Sequence, residues 1–259
     1  MSTPAFDNDE LNMILVTMEK MKSVEHRIIE GGMEFSHISG ILYGVDEYAD
    51  LSMSFTEIVE RLIKKNEFTG RENTGGHYLT KAWEISKVLY WIDRTTGNKL
   101  LNIGGGSTII NFYLASIGYD ITSIDCCWAE SDLVENEKMV ADKLELPIES
   151  VNADFIEYDA NAVFNAVFSI CVIEHIETRE RQRLFIENMA RHTAPGGLML
   201  LTFGYGNKAT CNPFRNEKEI DSLLYAYLDG FDIVEPFYFN GFWSISNEHT
   251  WGFVAAKKR

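Results

Sequence analysis

Residues 100–108, Leu-Leu-Asn-Ile-Gly-Gly-Gly-Ser-Thr, decide the fold of this chain. A short apolar stretch ends in three consecutive glycines, and the apolar run IINFYLASIG follows at once and closes at Gly118. Glycines between a strand and a helix let the backbone approach a ligand closely, and the free N–H groups of the first helical turn face that ligand. The pattern therefore predicts a strand, a glycine turn and a helix, with a ligand site at Gly104, Gly105 and Gly106.

A carboxylate follows at the end of the next predicted strand. The segment DITSID ends in Asp125, which lies 19 residues after Gly106. At this spacing an acidic side chain can accept hydrogen bonds from both hydroxyls of a ribose that lies across the neighbouring strand end. We therefore expect a cofactor that contains a nucleoside.

The details of the glycine pattern narrow the choice of nucleoside. A dinucleotide turn needs a third glycine where this chain has the bulky Ile109, and no Gly-Lys-Ser/Thr follows as a phosphate loop would need. Residues 102–108, NIGGGST, instead resemble motif I of the class I S-adenosylmethionine-dependent methyltransferases. Asn102 stands where that family usually has a carboxylate, and Thr108 replaces its last glycine.

Three further segments carry the same resemblance, in the same order as in the family. They are SVNADF at 150–155, FNAVFSICVIEHIE at 164–177 and RHTAPGGLMLLTF at 191–203. Asn165 again stands where an aspartate is usual. The resemblance covers about residues 98–257 and specifies the cofactor better than the acceptor.

The resemblance implies S-adenosylmethionine as the cofactor and a set of contacts to it. Asp125 would accept from the ribose, Asp154 from the adenine amino group, and Cys126 and Phe155 would flank the adenine ring. The expected cofactor-binding residues are Asn102, Gly104, Gly105, Gly106, Asp125, Cys126, Asp154, Phe155, Ile170 and Tyr78.

Several of these residues have a second interpretation that the sequence leaves open. Tyr78 is either a contact at the mouth of the site or a packed core tyrosine, and Asp154 is also a routine helix-capping residue. His175 follows the fourth strand and is our candidate general base, although the Glu-His pair of this family is often structural. The four cysteines do not have the spacing of a metal site, so we expect no metal and reduced thiols.

From Lys99 onward, strand patterns alternate with helix patterns, which predicts an α/β fold with a parallel sheet and helices on both faces. The two last strands, FDIVEP and WGFVAAK, are expected to pair antiparallel. The resemblance implies a Rossmann-like, seven-stranded, mostly parallel sheet in the order 3-2-1-4-5-7-6. We expect two parts: residues 1–95 as a helical cap and residues 96–259 as the methyltransferase domain.

The first 95 residues are expected to form helices that pack on the main domain. An amphipathic pattern ends at the glycines at 31 and 32, and Ser54 and Glu57 have the spacing of a capping box. A loop at 67–78, which contains His77 and Tyr78, should lead to a third helix near Thr80–Arg94. Aromatic residues of this density are more often core, so we expect only some of a set of six to lie near an acceptor pocket: Tyr43, Tyr205, Phe237, Phe239, Phe242 and Trp243.

Charge and hydropathy exclude several partners. The net charge is −16, from 39 acidic and 23 basic residues, and binding to a polyphosphate backbone or an anionic membrane depends on Lys and Arg. We therefore expect neither nucleic acid nor membrane as a partner. No apolar run is long enough to span a bilayer and the N-terminal residues lack a signal-peptide pattern, so a cytoplasmic protein is expected.

These observations predict an enzyme that transfers a methyl group from S-adenosylmethionine to a small-molecule acceptor, for example a sugar or a natural product. The main competing hypothesis is a non-catalytic protein on the same fold, which the neutral residues Asn102 and Asn165 suggest. A NAD-linked oxidoreductase and an aminopropyl transferase would also suit this fold, and Ile109 argues against the former. The sequence defines neither the acceptor nor the oligomeric state.

Overall fold

The computed structural model describes residues 8–31, 54–65, 75–126, 132–159, 161–206, 213–239 and 249–259. A single seven-stranded sheet with the order β3-β2-β1-β4-β5-β7-β6 forms its centre. The strands are β1 (Lys99–Ile103), β2 (Asp120–Asp125), β3 (Ile148–Asn152), β4 (Phe164–Ile170), β5 (Thr193–Gly206), β6 (Phe231–Phe239) and β7 (His249–Lys258).

Strands β1 to β5 run parallel, and β7 is antiparallel to both of its neighbours, β5 and β6. Leu100 and Leu101 are both fully buried although they point to opposite faces, as expected of a parallel strand that is covered on both sides. The predicted Rossmann-like α/β class, the strand order and the antiparallel final pair are confirmed.

Seven helices accompany the sheet in the described part of the chain. They are α1 (Asn8–Glu30), α2 (Phe55–Lys65), α3 (Gly75–Ile92), α4 (Ile109–Ser116), α5 (Leu133–Leu144), α6 (Arg179–His192) and α7 (Glu217–Leu223). Within these described segments, no helix is long and apolar enough to cross a membrane.

The N-terminal helices share a hydrophobic core with the sheet. Met18 of α1 and Trp83 of α3 are fully buried in the same cluster as Phe112 of α4 and Leu200 of β5. A second cluster on the other face joins the sheet to α6 and α7. The N-terminal helices therefore pack on the sheet, as predicted, and their role as a cap stays a prediction.

One of the following three element boundaries, the start of α3, differs from the sequence prediction. Helix α3 begins at Gly75, so Tyr78 lies in its first turn and not in a loop; the burial of this tyrosine offsets the low helix propensity of two glycines. Strand β5 begins at Thr193 and runs through the Pro-Gly-Gly segment with an irregular register against β4. Helix α7 ends at Leu223, before a short 3₁₀ turn at Tyr225–Tyr227.

The predicted capping box begins α2 and ties it to α1. The backbone N–H of Ser54 donates to Glu57 (2.9 Å), and the N–H of Glu57 donates back to the Ser54 hydroxyl (3.2 Å). Beside this cap, the Thr56 hydroxyl donates to the buried carboxylate of Glu25 in α1. The start of α2 is thereby held against α1 by polar contacts that water does not reach.

The cap makes a testable contribution to stability. We expect Ser54→Ala to lower the free energy of unfolding by about 1 kcal/mol, because one helix N–H loses its acceptor. Urea denaturation followed by circular dichroism measures the change, with Ser23→Ala on the exposed side of α1 as the matched control. Equal stabilities of the two variants would contradict the assigned role of the cap.

Candidate active site

The glycine turn between β1 and α4 is packed so closely that it excludes side chains. Gly104 has a φ of +70°, and a Cβ there would lie 2.4 Å from Cγ2 of Val172. A Cβ on Gly105 would lie 2.0 Å from Nδ2 of Asn102. Because these distances are far below van der Waals contact, the turn presents bare backbone at the carboxyl end of the sheet.

Asp125 lies beside this turn at the end of β2. Its Oδ2 accepts a hydrogen bond from the backbone N–H of Gly106 at 2.9 Å. Burial raises the pKa of Asp125, and the hydrogen bond from Gly106 opposes that change by stabilising the carboxylate. The structure thus brings Gly104, Gly105, Gly106 and Asp125 together as the sequence predicted.

Asn102 lies underneath the glycine turn and is buried. Its Nδ2 donates to Oδ1 of Asn111 at 2.7 Å, whereas its own Oδ1 has no hydrogen-bond partner among the described residues. Reversing the Asn102 amide would place two carbonyl oxygens against each other, so the contact with Asn111 supports this orientation. An unpaired buried acceptor beneath the bare turn marks a place where a ligand donor can bind.

The adenine-side residues are less open than the sequence suggested. Asp154 forms an ion pair with Arg181, and its Oδ1 accepts from the N–H of Ile156 at 2.9 Å. The Phe155 ring is buried against Phe185, with 5.4 Å between the ring centroids. In this conformation the Phe155 ring is therefore part of the core. Cys126, directly after Asp125, is a half-buried cysteine.

The carboxyl end of β4 forms the other side of the site. Ile170 is half-buried at the strand end, and Cys171 after it has a φ of +55°, which is uncommon outside glycine. The N–H of Cys171 donates to the carbonyl oxygen (3.2 Å) and the hydroxyl (3.1 Å) of Thr202 in β5. These bonds to β5 hold the chain in a left-handed turn immediately after β4.

A cluster of buried and half-buried ionisable groups surrounds this turn, and we name it the β4-end cluster: Lys81, Glu84, Cys171 and Glu174. Lys81 and Glu84 come from α3, and their side chains are 3.1 Å apart. Glu84 accepts from the Cys171 thiol, and Glu174 accepts from the N–H of Gly204 at 3.1 Å. Residues that are distant in sequence thus meet where parallel sheets bind ligands.

Burial and mutual charge control protonation in this cluster. Burial raises the pKa of Glu174 to about 7, although Lys81 opposes that shift. Burial and the two nearby carboxylates raise the pKa of the Cys171 thiol well above its ordinary value, so this thiol is protonated and a weak nucleophile at neutral pH. Burial alone would lower the pKa of Lys81, but the surrounding negative groups raise it.

The two remaining predicted residues lie on either side of this cluster in the chain. His175 ends a 3₁₀ turn at Ile173–His175, and burial together with the charge of Lys81 lowers its pKa. Tyr78, one turn before Lys81 on α3, is fully buried, and its hydroxyl has no hydrogen-bond partner within the described segments. Both interpretations of Tyr78, as a packed residue and as a contact, therefore stay open.

Sequence reasoning missed Lys81, Glu84, Glu174, Asn111 and Glu137 as parts of the site. Lys81, Glu84, Asn111 and Glu137 lie inside helical patterns, where charged and amide side chains are normally taken to be solvent-exposed. Glu174 belongs to the Glu-His pair, in which the sequence pattern indicates only His175 as a reactive group. The useful signal was polar residues at positions that the helical period predicts to be buried.

The expected aromatic residues lie near the carboxyl end of β5, on β6, or outside the described part of the chain. Among the aromatic residues, Tyr43, Phe242 and Trp243 lie outside the described residues, and Tyr205 and Phe237 pack together with 5.2 Å between centroids. The described residues contain no group of three or more His, Cys, Asp or Glu that could hold a metal ion. A separate cavity of about 550 Å³ lies at the amino-terminal ends of the strands, where Lys99 and Asp120 begin β1 and β2.

The sheet order, the bare glycine turn and the acidic residue at the end of β2 define the class I S-adenosylmethionine-dependent methyltransferases, and that recognition is confirmed. Within this class, a sequence model described as Tellurite resistance protein TehB matches residues 71–235. The match covers more than half of the chain, which belongs to the TehB family.

Individual relatives agree with this assignment. A Ubiquinone biosynthesis O-methyltransferase of Rickettsia conorii is 26% identical over 203 residues, which is 71% of this chain and 67% of the relative. The chain spans about half the length of other curated relatives that it matches. At this level of identity the names of relatives do not define the acceptor.

Solved structures show the same fold. The crystal structure of TehB from Haemophilus influenzae superposes with a TM-score of 0.55 at 19% identity, covering 78% of this chain and 68% of that one. The glycopeptide N-methyltransferase MtfA, complexed with S-adenosyl-L-methionine, superposes with a TM-score of 0.50 at 12% identity, covering 68% of this chain and 87% of that one.

The raised pKa of Glu174 predicts a pH dependence of stability. Its pKa is 4.5 in the unfolded chain and about 7 in the folded one, so between these values the folded state holds a proton that the unfolded state has lost. Stability from this group therefore falls as pH rises through that window. We expect Glu174→Gln to gain stability relative to the wild type between pH 5 and pH 8.

Urea denaturation at several pH values measures this difference, and Glu177→Gln, at an exposed position three residues away, is the control. A constant difference in unfolding free energy between Glu174→Gln and the wild type over pH 5–8 would mean that Glu174 ionises normally.

Proposed function

We propose that this chain is an enzyme that binds S-adenosylmethionine at the carboxyl ends of β1, β2 and β4 and transfers its methyl group to a small-molecule acceptor. The observation that carries the proposal is the bare turn at Gly104–Gly106 with the Asp125 carboxylate held against it by the N–H of Gly106. Bare backbone with an acidic residue on the neighbouring strand end suits a ribose-containing ligand.

The residues fit this cofactor. The turn has no room for a Cβ at Gly104 or Gly105 and so presents backbone alone, and the buried Oδ1 of Asn102 has no hydrogen-bond partner among the described residues. Asp125 and the turn would hold the ribose, and the backbone after Ile170 would face the methionine part. Asp154 would reach the adenine amino group only by sharing or leaving its ion pair with Arg181. The MtfA complex with S-adenosyl-L-methionine supports the same choice.

When bound, the cofactor supplies a methyl group on a good leaving group, the sulfonium. No protein nucleophile is needed for such a transfer, so the protein contributes mainly by positioning the reactants and excluding water. The β4-end cluster and His175 provide the groups that can hold or accept a proton from an acceptor hydroxyl or amine. Residues 1–95 would form a cap over this end of the sheet, with α3 carrying Lys81 and Glu84 to it.

Charge supports a small acceptor over a nucleic acid. The net charge of −16 disfavours a polyphosphate, and the site itself combines Lys81 with two carboxylates. One relative is named for ubiquinone biosynthesis and one structural neighbour for glycopeptide methylation, whereas another relative is named a probable tRNA methyltransferase, so the charge and not the names carries this preference. Asn165, one of the two residues that suggested a non-catalytic protein, lies at the amino-terminal end of β1, away from the glycine turn. Its Oδ1 accepts from the N–H of Lys99 at 3.0 Å, so this asparagine does not support the non-catalytic hypothesis.

Cofactor binding is tested by calorimetric titration of the wild type and Asp125→Asn with S-adenosylmethionine, S-adenosylhomocysteine and NAD. We expect only the adenosyl compounds to bind, and the substitution to weaken them roughly 10- to 100-fold, since hydrogen bonds to a charged acceptor are lost. Asp120→Asn, at the exposed other end of the same strand, is the matched control. Binding of NAD alone, or no binding at all, would overturn the proposal.

The raised pKa of Asp125 adds a pH dependence to this binding. The ionised carboxylate accepts from both ribose hydroxyls, so affinity falls as the pH drops and the group takes up a proton. Because burial raises the pKa above its ordinary value of 3.8, this loss begins at a higher pH than for an exposed aspartate. Titrations with S-adenosylhomocysteine at successively lower pH should show the decline in the wild type and a flat profile in Asp125→Asn.

The role of His175 is tested once an acceptor has been found by screening hydroxyl and amine metabolites together with tellurite. If His175 is the general base, His175→Gln lowers kcat by roughly 10²- to 10⁴-fold while the affinity for S-adenosylmethionine is unchanged. A single-turnover assay with saturating cofactor measures this. An unchanged rate would exclude His175 as the general base and leave proton acceptance to Glu174 or water.

A further inference from the structure

The side-chain amide of Asn111 bonds to both Asn102 and Glu137 beneath the glycine turn. Nδ2 of Asn111, in the first turn of α4, donates to the carbonyl of Gly105 (2.9 Å) and to Oε1 of Glu137 (2.7 Å). Its Oδ1 accepts from Asn102 (2.7 Å). The NH₂ group of Asn111 therefore points toward the Glu137 carboxylate. Its oxygen points toward Asn102, which stands where this class usually has a carboxylate.

Glu137 comes from α5 and is fully buried. Its Oε1 also accepts from the backbone N–H of Ser107 at 3.1 Å, and its Oε2 accepts from the hydroxyl of Ser150 at 2.7 Å. All the groups that stabilise its charge are neutral amides and hydroxyls, and burial raises its pKa. A buried carboxylate without a cation is costly, so its hydrogen bonds are essential to it.

One of these bonds holds a strained residue of the turn. Ser107 has a φ of +59° and a fully buried side chain, and a left-handed conformation is unfavourable for a residue with a Cβ. The contact of its N–H with Glu137 secures this conformation from below. Glu137 is thus bonded to the turn twice, directly through Ser107 and indirectly through Asn111 to Gly105.

The direction of the Asn111 amide constrains residue 102. With its NH₂ committed to Glu137 and Gly105, only a donor can face its oxygen, and Asn102 is such a donor whereas an aspartate is not. Reversing the amide would turn its oxygen toward the Glu137 carboxylate and break the bond to Gly105. A carboxylate can therefore be accommodated at position 102 or at position 137, but not at both.

We propose that Glu137 is a positioning residue for the cofactor turn, and that it carries the carboxylate which other members of this class have at position 102. Glu137 acts through Ser107 and Asn111 and does not contact the ligand. The inference rests on the proposed binding of S-adenosylmethionine, and it explains why the neutral Asn102 is compatible with that binding.

The test is a double-mutant cycle with Asn102→Asp, Glu137→Gln and the double variant, measured by titration with S-adenosylhomocysteine. Asn102→Asp alone should weaken binding about tenfold or more, because two oxygens then face each other beneath the turn. Glu137→Gln alone should weaken it less, since a glutamine can still accept from Ser107. In the double variant the new glutamine can turn its NH₂ toward a reversed Asn111, which removes the two facing oxygens but gives up the bond from Ser107. We therefore expect tighter binding than in Asn102→Asp and strong non-additivity.

Glu25→Gln is the matched control, because Glu25 is also a buried carboxylate held by neutral donors but lies between α1 and α2. Glu25→Gln should leave the affinity for S-adenosylhomocysteine within about twofold of the wild type. Its melting temperature should fall, because a buried contact is lost. Tighter binding by Asn102→Asp alone, or strictly additive effects in the cycle, would overturn the proposal.

Hydrogen exchange measured without ligand provides an independent readout. Peptides covering residues 104–108 should exchange faster in Glu137→Gln than in the wild type or in Glu25→Gln, and equal exchange would overturn the positioning role. If Asn102→Asp does not fold, the exchange rates of residues 104–108 alone test the positioning role of Glu137. Failure of the wild type to bind S-adenosylhomocysteine would refute the proposed function alone, since the exchange result does not depend on it.

Discussion

The site depends on one constraint, the close packing of two consecutive glycines against side chains. Gly104 packs against Val172 and Gly105 against Asn102. Gly104 also donates its N–H to the carbonyl of Ile124 at 2.7 Å, which fixes the turn to β2. The ends of β1, β2 and β4 are consequently held together by a segment that has no room for side chains. A ligand that binds there meets backbone groups and the carboxylate of Asp125, and these groups are already in place before it arrives.

Buried charge is concentrated at this end of the sheet, and it is stabilised in two different ways. Glu137 is held by neutral donors alone, whereas Glu84 and Glu174 share the positive charge of Lys81. Removing carboxylates from water costs free energy that these contacts only partly return. Their contribution is therefore better described as fixing conformations and protonation states near the site than as stabilising the fold.

The N-terminal helices are part of this arrangement. Trp83 and neighbouring apolar residues of α3 are buried in the same core as the sheet, and the Lys87 ammonium pairs with Glu235 of β6 at 2.8 Å. This docking brings Lys81 and Glu84 to the turn after β4. Residues from the first part of the chain and from the Rossmann-like domain thus form one polar cluster, although nearly ninety residues separate Glu84 from Cys171.

The sequence by itself determined the strands, their parallel arrangement and the glycine turn with Asp125. These follow from local patterns: apolar runs of strand length, glycines where no side chain fits, and an acidic residue at a strand end. The capping box at Ser54 was equally local, because a cap involves residues three positions apart. The resemblance to the methyltransferase class added the strand order, which no local pattern contains.

The tertiary structure alone decided which polar side chains became buried and what they contact. The bonds of Glu137, the ion pair of Asp154 with Arg181, the packed ring of Phe155 and the earlier start of α3 all depend on partners that are distant in sequence. A helical pattern predicts that a residue faces the core, but it does not predict which group that residue contacts there. Direction also matters, since the orientation of the Asn111 amide, and with it the requirement for a donor at Asn102, follows only from the positions of α4, α5 and β1 in space.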